Sequence, residues 1–230
     1  MANIDNISTI IFDLDDTLIP SSLAYEQALN NLGYPGNHSD YLAARAKVKS
    51  RLPRGHTSAR NRLLYFKALL EEKGQFSAKT LLELTDHYES QLSTIFKRSW
   101  SDEKSQLLKK LKAKFKLIVL TNENLRTQMI KLNAIDPENI FFDTFITSEE
   151  IGCEKPNPKA FGFATNAAGC APDQILMVGD NLEHDIHPAL KLGLRAGWMS
   201  EYTKADPKSV TIPEGVYTFN SLAELTAALL

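Results

Sequence analysis

Thr9-Ile10-Ile11-Phe12-Asp13-Leu14-Asp15-Asp16-Thr17-Leu18 decides the fold, because a short apolar run ends there abruptly in three carboxylates. Its β-branched and aromatic residues, too few for a helix, read as a strand buried on both faces. Acidic side chains are costly to bury, so Asp13 and Asp15 belong at the strand's exposed carboxyl end, where open α/β sheets place their ligands. Two residues apart on an extended chain, they project from the same side. Carboxylates held this close either share a cation or divide into one ionised and one protonated group.

Two later apolar runs end in the same manner. Lys116-Leu117-Ile118-Val119-Leu120 leads into Thr121-Asn122, and Gln174-Ile175-Leu176-Met177-Val178 leads into Gly179-Asp180-Asn181-Leu182-Glu183-His184-Asp185. Between them lies Glu154-Lys155-Pro156-Asn157-Pro158, a lysine stiffened by two prolines ahead of a helical pattern. Adjacent parallel strands would gather these ends at one edge of a sheet.

The order Asp-x-Asp-x-Thr, strand-end Thr, Lys-Pro and Gly-Asp-x-x-x-x-Asp resembles the four motifs of the haloacid dehalogenase superfamily of phosphatases. The resemblance runs from about residue 9 to 200, apart from the segment between the first two motifs. It implies that Asp13 is the nucleophile of an aspartyl-phosphate mechanism and Asp15 the general acid and base. It implies phosphate binding by the Thr121 hydroxyl, the Asn122 backbone N–H and the Lys155 ammonium. A phosphate and a carboxylate nucleophile are both anions, so a hard cation is needed between them, and magnesium with oxygen ligands fits. On the family pattern its ligands are the Asp13 and Asp180 carboxylates and the backbone carbonyl of Asp15. Asp185 either orients the site from behind those ligands or pairs with a helix dipole. Asp16 stands where many relatives have glycine and reads as a turn residue that tolerates the left-handed conformation.

From Pro20 to Arg98 strand-like runs vanish and helical patterns take over, at Leu23 to Leu32, Asp40 to Ser50, Thr57 to Lys73 and Ser77 to Phe96. Gly33-Tyr34-Pro35-Gly36, Pro53-Arg54-Gly55 and Lys73-Gly74 punctuate them as turns. This division predicts an α/β core of residues 1–19 and 99–230, and an all-helical cap of residues 20–98 inserted after the first strand. The cap would hinge near Ile19 to Ser21 and Phe96 to Ser101, the place where family members with a C1-type cap carry theirs. Ser101 and Ser221 read as helix caps, the latter in a capping box with Glu224. Alternating helices and strands after residue 100 predict a doubly wound, mostly parallel Rossmann-like sheet. Arg51, Arg54, His56 and Arg60 cluster around Gly55. Arg54 and His56 are candidates for contacting an anionic leaving group, and a solvated basic helix end is the competing reading.

Composition narrows the function. Hydrophobic residues make up 43% and charged residues 23% of 230, as expected of one globular chain. A net charge of −2 gives no basic excess for nucleic acid, and no apolar run approaches a membrane span. The start of the chain lacks a basic, apolar leader, and Cys153 and Cys170 read as free thiols. These features predict a cytoplasmic protein. His184 and His187 flank Asp185 without Cys/His partners at zinc spacing and read as helix-surface residues. The expected activity is magnesium-dependent hydrolysis of a small phosphorylated metabolite. A phosphomutase would use the same residues, and a phosphate-binding module without catalysis is the alternative of another class.

Overall fold

A computed structural model of the chain describes residues 4–32, 38–203 and 210–230, so the expected turn at Gly33 to Gly36 lies outside the described residues. The three apolar runs form strands β1 (Thr9–Phe12), β2 (Lys116–Thr121) and β4 (Ile175–Gly179). With β3 (Thr144–Thr147), β5 (Arg195–Met199) and β6 (Tyr217–Phe219) they make a sheet of order β3-β2-β1-β4-β5-β6. Every pairing is parallel. The edge strand β6 was not evident in the sequence, since three residues carry no readable period.

Register explains why the central strands are apolar throughout. Ile10 pairs with Leu117 and Leu176, and these side chains enter one core. Ile11 pairs with Ile118 and Met177, whose side chains enter the other. With helices on both faces, neither parity can be polar. The strand order reverses between β1 and β4, so a crevice opens at their carboxyl ends, where such sheets bind ligands.

Between β1 and β2 the chain forms α1 (Ser21–Asn31), α2 (His38–Ser50), α3 (Arg62–Glu72), α4 (Ala78–Ser99) and α5 (Asp102–Lys112). The helix expected over Thr57 to Lys73 is interrupted. Thr57–Arg60 is a single 3-10 turn, and α3 starts afresh because the Asn61 side chain accepts from Leu63 N at 3.0 Å. Asparagine competes for backbone donors and so caps a new helix instead of continuing the old one. Ser77 and Ser101 cap α4 and α5, the second as expected. At the terminal helix α10 (Leu222–Leu229), Ser221 accepts from Glu224 N. The Glu224 carboxylate, however, receives Asn220 N at 2.7 Å, one residue before the position that closes a capping box.

Tyr41, Phe66 and Tyr88 pack ring on ring, with centroids 5.6 and 5.1 Å apart, at the centre of the inserted helices. Their cluster is continuous with the sheet face of Ile10 and Phe12. The remaining helices are α6 (Leu125–Ile135), α7 (Ser148–Ile151), α8 (Pro158–Ala168) and α9 (His187–Lys191). No helix among the described residues is long and apolar enough to cross a membrane. Both cysteines are unpaired.

Candidate active site

The loop after β1 leaves the sheet while still tied to it, since Asp13 N donates to Val178 O at 2.8 Å. Asp16 then takes a left-handed conformation, φ 59°, and its carboxylate receives Ser22 N at 2.8 Å and the Ser22 hydroxyl. Asp16 thus turns the chain and anchors the start of α1, which supports its reading as a backbone residue. Thr17, fully buried, lies between the strand ends. Its hydroxyl is 3.2 Å from Asp13 Oδ2 and 3.4 Å from Asp180 Oδ1, and it accepts from Asp180 N at 3.0 Å.

Carboxylates from β1 and β4 converge on one ammonium. Lys155 Nζ donates to Asp13 Oδ1 at 2.6 Å and to Asp185 Oδ1 at 2.5 Å, with all three residues buried. The Asn122 side chain fixes the lysine's backbone from both sides, accepting from Lys155 N at 2.6 Å and donating to Lys155 O at 2.8 Å. The Lys155–Pro156 bond is cis. Asp185 owes its place to Gly179, because a Cβ there would lie 2.4 Å from Asp185 Oδ2. Asn181 holds the π-helical turn over Leu182–Ile186, accepting from Glu183 N and His184 N, while Asn181 N donates to Asp185 Oδ2 at 3.2 Å.

Asp13, Asp180 and Asp185 each offer a carboxylate oxygen within 4.8 Å of the others. Burial, then the neighbouring carboxylates, push the Asp180 acid up, and burial does the same to Asp13 despite Lys155. Lys155 is pushed down by burial, but Asp13 and Asp185 reverse this and keep it charged. Three crowded acids against one cation form a site short of positive charge. Its donors are all hard oxygens, a set that fits magnesium or a similar divalent ion.

Asp15 faces the same cavity but belongs to another network, one the sequence did not reveal. Its Oδ1 is paired with the fully buried Lys131, and its Oδ2 receives Gln128 Nε2 at 2.9 Å and the Thr121 hydroxyl at 3.5 Å. Burial raises the Asp15 pKa, but Lys131 and the hydrogen bonds outweigh it and lower it to about 2. The signal was present on α6, where Gln128, Lys131, Leu132 and Ile135 share one face and all are buried. A lysine on the buried stripe of a helix needs a carboxylate, and Asp15 is that partner. The predicted Thr121 is buried with its hydroxyl in this network, where Gln128 Nε2 reaches it at 2.7 Å, whereas Asn122 opens on the cavity.

The cavity is an open cleft of about 560 Å³. Its floor is the strand-end cluster, and its roof comes from the inserted helices through Tyr25, Tyr41, Arg45, Arg60, Arg62 and Tyr65. Arg60 forks onto Glu154 at 2.9 and 3.2 Å. Arg62 reaches the buried Glu123 at 2.8 Å and lies 3.9 Å over the Tyr25 ring. The structure does not bring Arg54 or His56 to this site. Both are exposed and absent from the lining, and His56 Nδ1 instead accepts from Ser58 N to cap the 3-10 turn. His184, expected on the helix surface, lines the cavity, while His187 lies 3.3 Å from exposed Glu183.

Known proteins agree with this architecture. The family described as haloacid dehalogenase-like hydrolase matches residues 7–193. N-acylneuraminate-9-phosphatase of Homo sapiens is 27% identical, over 98% of this chain and 95% of its own. Ribulose-1,5-bisphosphate 5-phosphatase of Halopiger xanaduensis is 29% identical, over 95% of this chain and 98% of its own. A HAD-hydrolase of Bacillus subtilis, solved bound to magnesium, superposes with a TM-score of 0.69 at 25% identity, over 98% of this chain and 99% of its own.

Proposed function

The chain belongs to the haloacid dehalogenase-like hydrolase family, and we propose that it is a magnesium-dependent phosphatase of a small cytoplasmic metabolite, working through an aspartyl-phosphate on Asp13. One observation carries this reading: a strand-end carboxylate, Asp13, lies 2.6 Å from a buried ammonium on a cavity that a second carboxylate, Asp15, also faces. The relatives named above are phosphatases of small phosphorylated metabolites, which supports the same class of substrate. The two free thiols suit a reducing compartment.

In the first half-reaction an Asp13 oxygen attacks phosphorus and the bond to the leaving oxygen breaks. Burial raises the Asp13 acid, so its ionised, attacking form depends on the Lys155 ammonium beside it and on the divalent ion the site would hold, not on a general base. Lys155 stabilises charge on the phosphoryl oxygens, and the Asn122 N–H adds a neutral donor. Asp15 gives the leaving oxygen its proton, then takes one from the water that cleaves the aspartyl-phosphate. With both of its oxygens occupied by Lys131, Gln128 and Thr121, Asp15 stands ready as the acceptor. Donation requires it to move off Lys131 toward the substrate, where, without that ammonium, it takes up from solvent the proton that it delivers to the leaving oxygen. Asp13, Asp180 and the Asp15 carbonyl would hold magnesium with Asp185 behind them, and the ion would neutralise the repulsion between phosphate and carboxylate. Residues 20–98 act as the cap that closes over the leaving group, hinged at their two ends.

The test is phosphate release from a panel of sugar phosphates, nucleoside monophosphates and small phospho-acids, with and without magnesium. Magnesium-dependent release from at least one of them is expected. Release that survives chelation would overturn the reading, and an isomeric phosphate product without free phosphate would mark a mutase.

A further inference from the structure

The cavity roof holds three arginines, and two of them are already neutralised. Arg60 is forked onto Glu154, and Arg62 is paired with buried Glu123. Arg45, on α2, has no carboxylate within ion-pair distance among the described residues, yet it lines the same cavity as Asp13. The Tyr65 hydroxyl, which also faces the cavity, donates to Ala59 O, and the Arg45 guanidinium lies near enough to help stabilise the ionised phenol. One helical turn along α2, Lys49 is half-buried, and burial together with Arg45 and Arg60 lowers its pKa. Positive charge therefore accumulates on this side of the cavity beyond what Glu123 and Glu154 offset. The exposed Glu26 also opens on the cavity but makes no ion pair with Arg45.

A half-buried, unmatched guanidinium on the wall of a cleft is a site for an anion. The transferred phosphoryl group does not meet this need, because it is bound at the opposite end, against Asp13 and Lys155. A cavity of about 560 Å³ suits a metabolite long enough to reach from floor to roof. We propose that the leaving portion of the substrate carries a second anionic group, a carboxylate or a phosphate, and that Arg45 receives it. This inference rests on the phosphatase reading and narrows it to acidic metabolites.

The test compares matched pairs on the magnesium-loaded protein. 6-Phosphogluconate against sorbitol 6-phosphate isolates a terminal carboxylate, and fructose 1,6-bisphosphate against fructose 6-phosphate isolates a second phosphate. p-Nitrophenyl phosphate, with no second charge, reports turnover itself. The charged member of at least one pair is expected to show kcat/KM about tenfold or more above its neutral partner. The pair that discriminates tells which anion is bound. Arg45→Gln should collapse that preference by a similar factor, and Arg45→Lys should restore part of it while thermal melting stays unchanged in both. Equal turnover within both pairs, or a preference that Arg45→Gln leaves intact, would overturn the inference alone. Absence of turnover on every compound, including p-nitrophenyl phosphate, would remove the phosphatase reading beneath it.

Discussion

On the cavity floor Asp13, Asp180 and Asp185 crowd around one ammonium, whereas on the roof Arg60 and Arg62 are each matched by a core carboxylate. The floor is built by strand ends fixed in a parallel sheet, so its like charges cannot separate, and the strain is held for a ligand to relieve. The roof is built by helices whose side chains reach across to Glu123 and Glu154, so its charges fasten one region to the other. Charged side chains are thus left crowded in one place and paired off in the other. What separates the roles is whether a partner is present. By that criterion Arg45 resembles the floor and Arg62 does not.

The sharpest way to break this contrast is Asp13→Asn, which keeps the shape and removes the nucleophilic charge. Turnover of p-nitrophenyl phosphate should fall by roughly ten-thousandfold or more while circular dichroism stays native. Substantial activity in a well-folded variant would show that the floor is not where bonds are made.

Lys131→Met and Arg62→Met compare the two kinds of paired cation. Each leaves a carboxylate without its partner, and each should cost roughly 3 kcal/mol in urea unfolding. Lys131→Met should also slow poor leaving groups about a hundredfold, more than an activated aryl phosphate, because Asp15 loses its placement. Arg62→Met should act mainly on KM. Identical kinetic profiles for the two would erase the distinction between a cation that serves Asp15 and one that fastens the roof.

Stability against pH probes the floor directly. Asp13 and Asp180 have acids raised well above their unfolded values, chiefly by burial. Between the unfolded and folded pKa the folded state binds more protons, so stability falls as pH rises through that window. The metal-free protein should therefore melt several degrees lower at about pH 8.5 than at about pH 6, and magnesium should raise Tm more at the higher pH. A Tm of the metal-free protein that rises over this interval would contradict the crowded-acid description. The smallest effect is expected from Arg54→Ala. An exposed side chain outside the lining should alter kcat/KM by less than about twofold. A tenfold loss would return this arginine to the site and imply a different closure of the roof.

The sequence determined the first carboxylates of the floor because they adjoin buried runs. A strand covered on both faces must be apolar, so the point where carboxylates begin marks its exposed end, and Asp13 and Asp180 were legible one strand at a time. Gly179-Asp180 with Asp185 was legible as a pattern, although only packing shows that the glycine makes room for the second acid. The tertiary structure alone decided the roof and the Asp15 network. Helical period places Lys131 on the buried face of α6 but not opposite Asp15, 116 residues earlier in the chain. The arginines around Gly55 look alike in sequence, and Asn61 decides between them by ending one turn and starting α3. That break carries Arg60 and Arg62 inward and leaves Arg54 in solvent. Strand-end chemistry follows from local burial, whereas the pairing of helix-borne charges depends on how helices are oriented in space, which period alone does not specify.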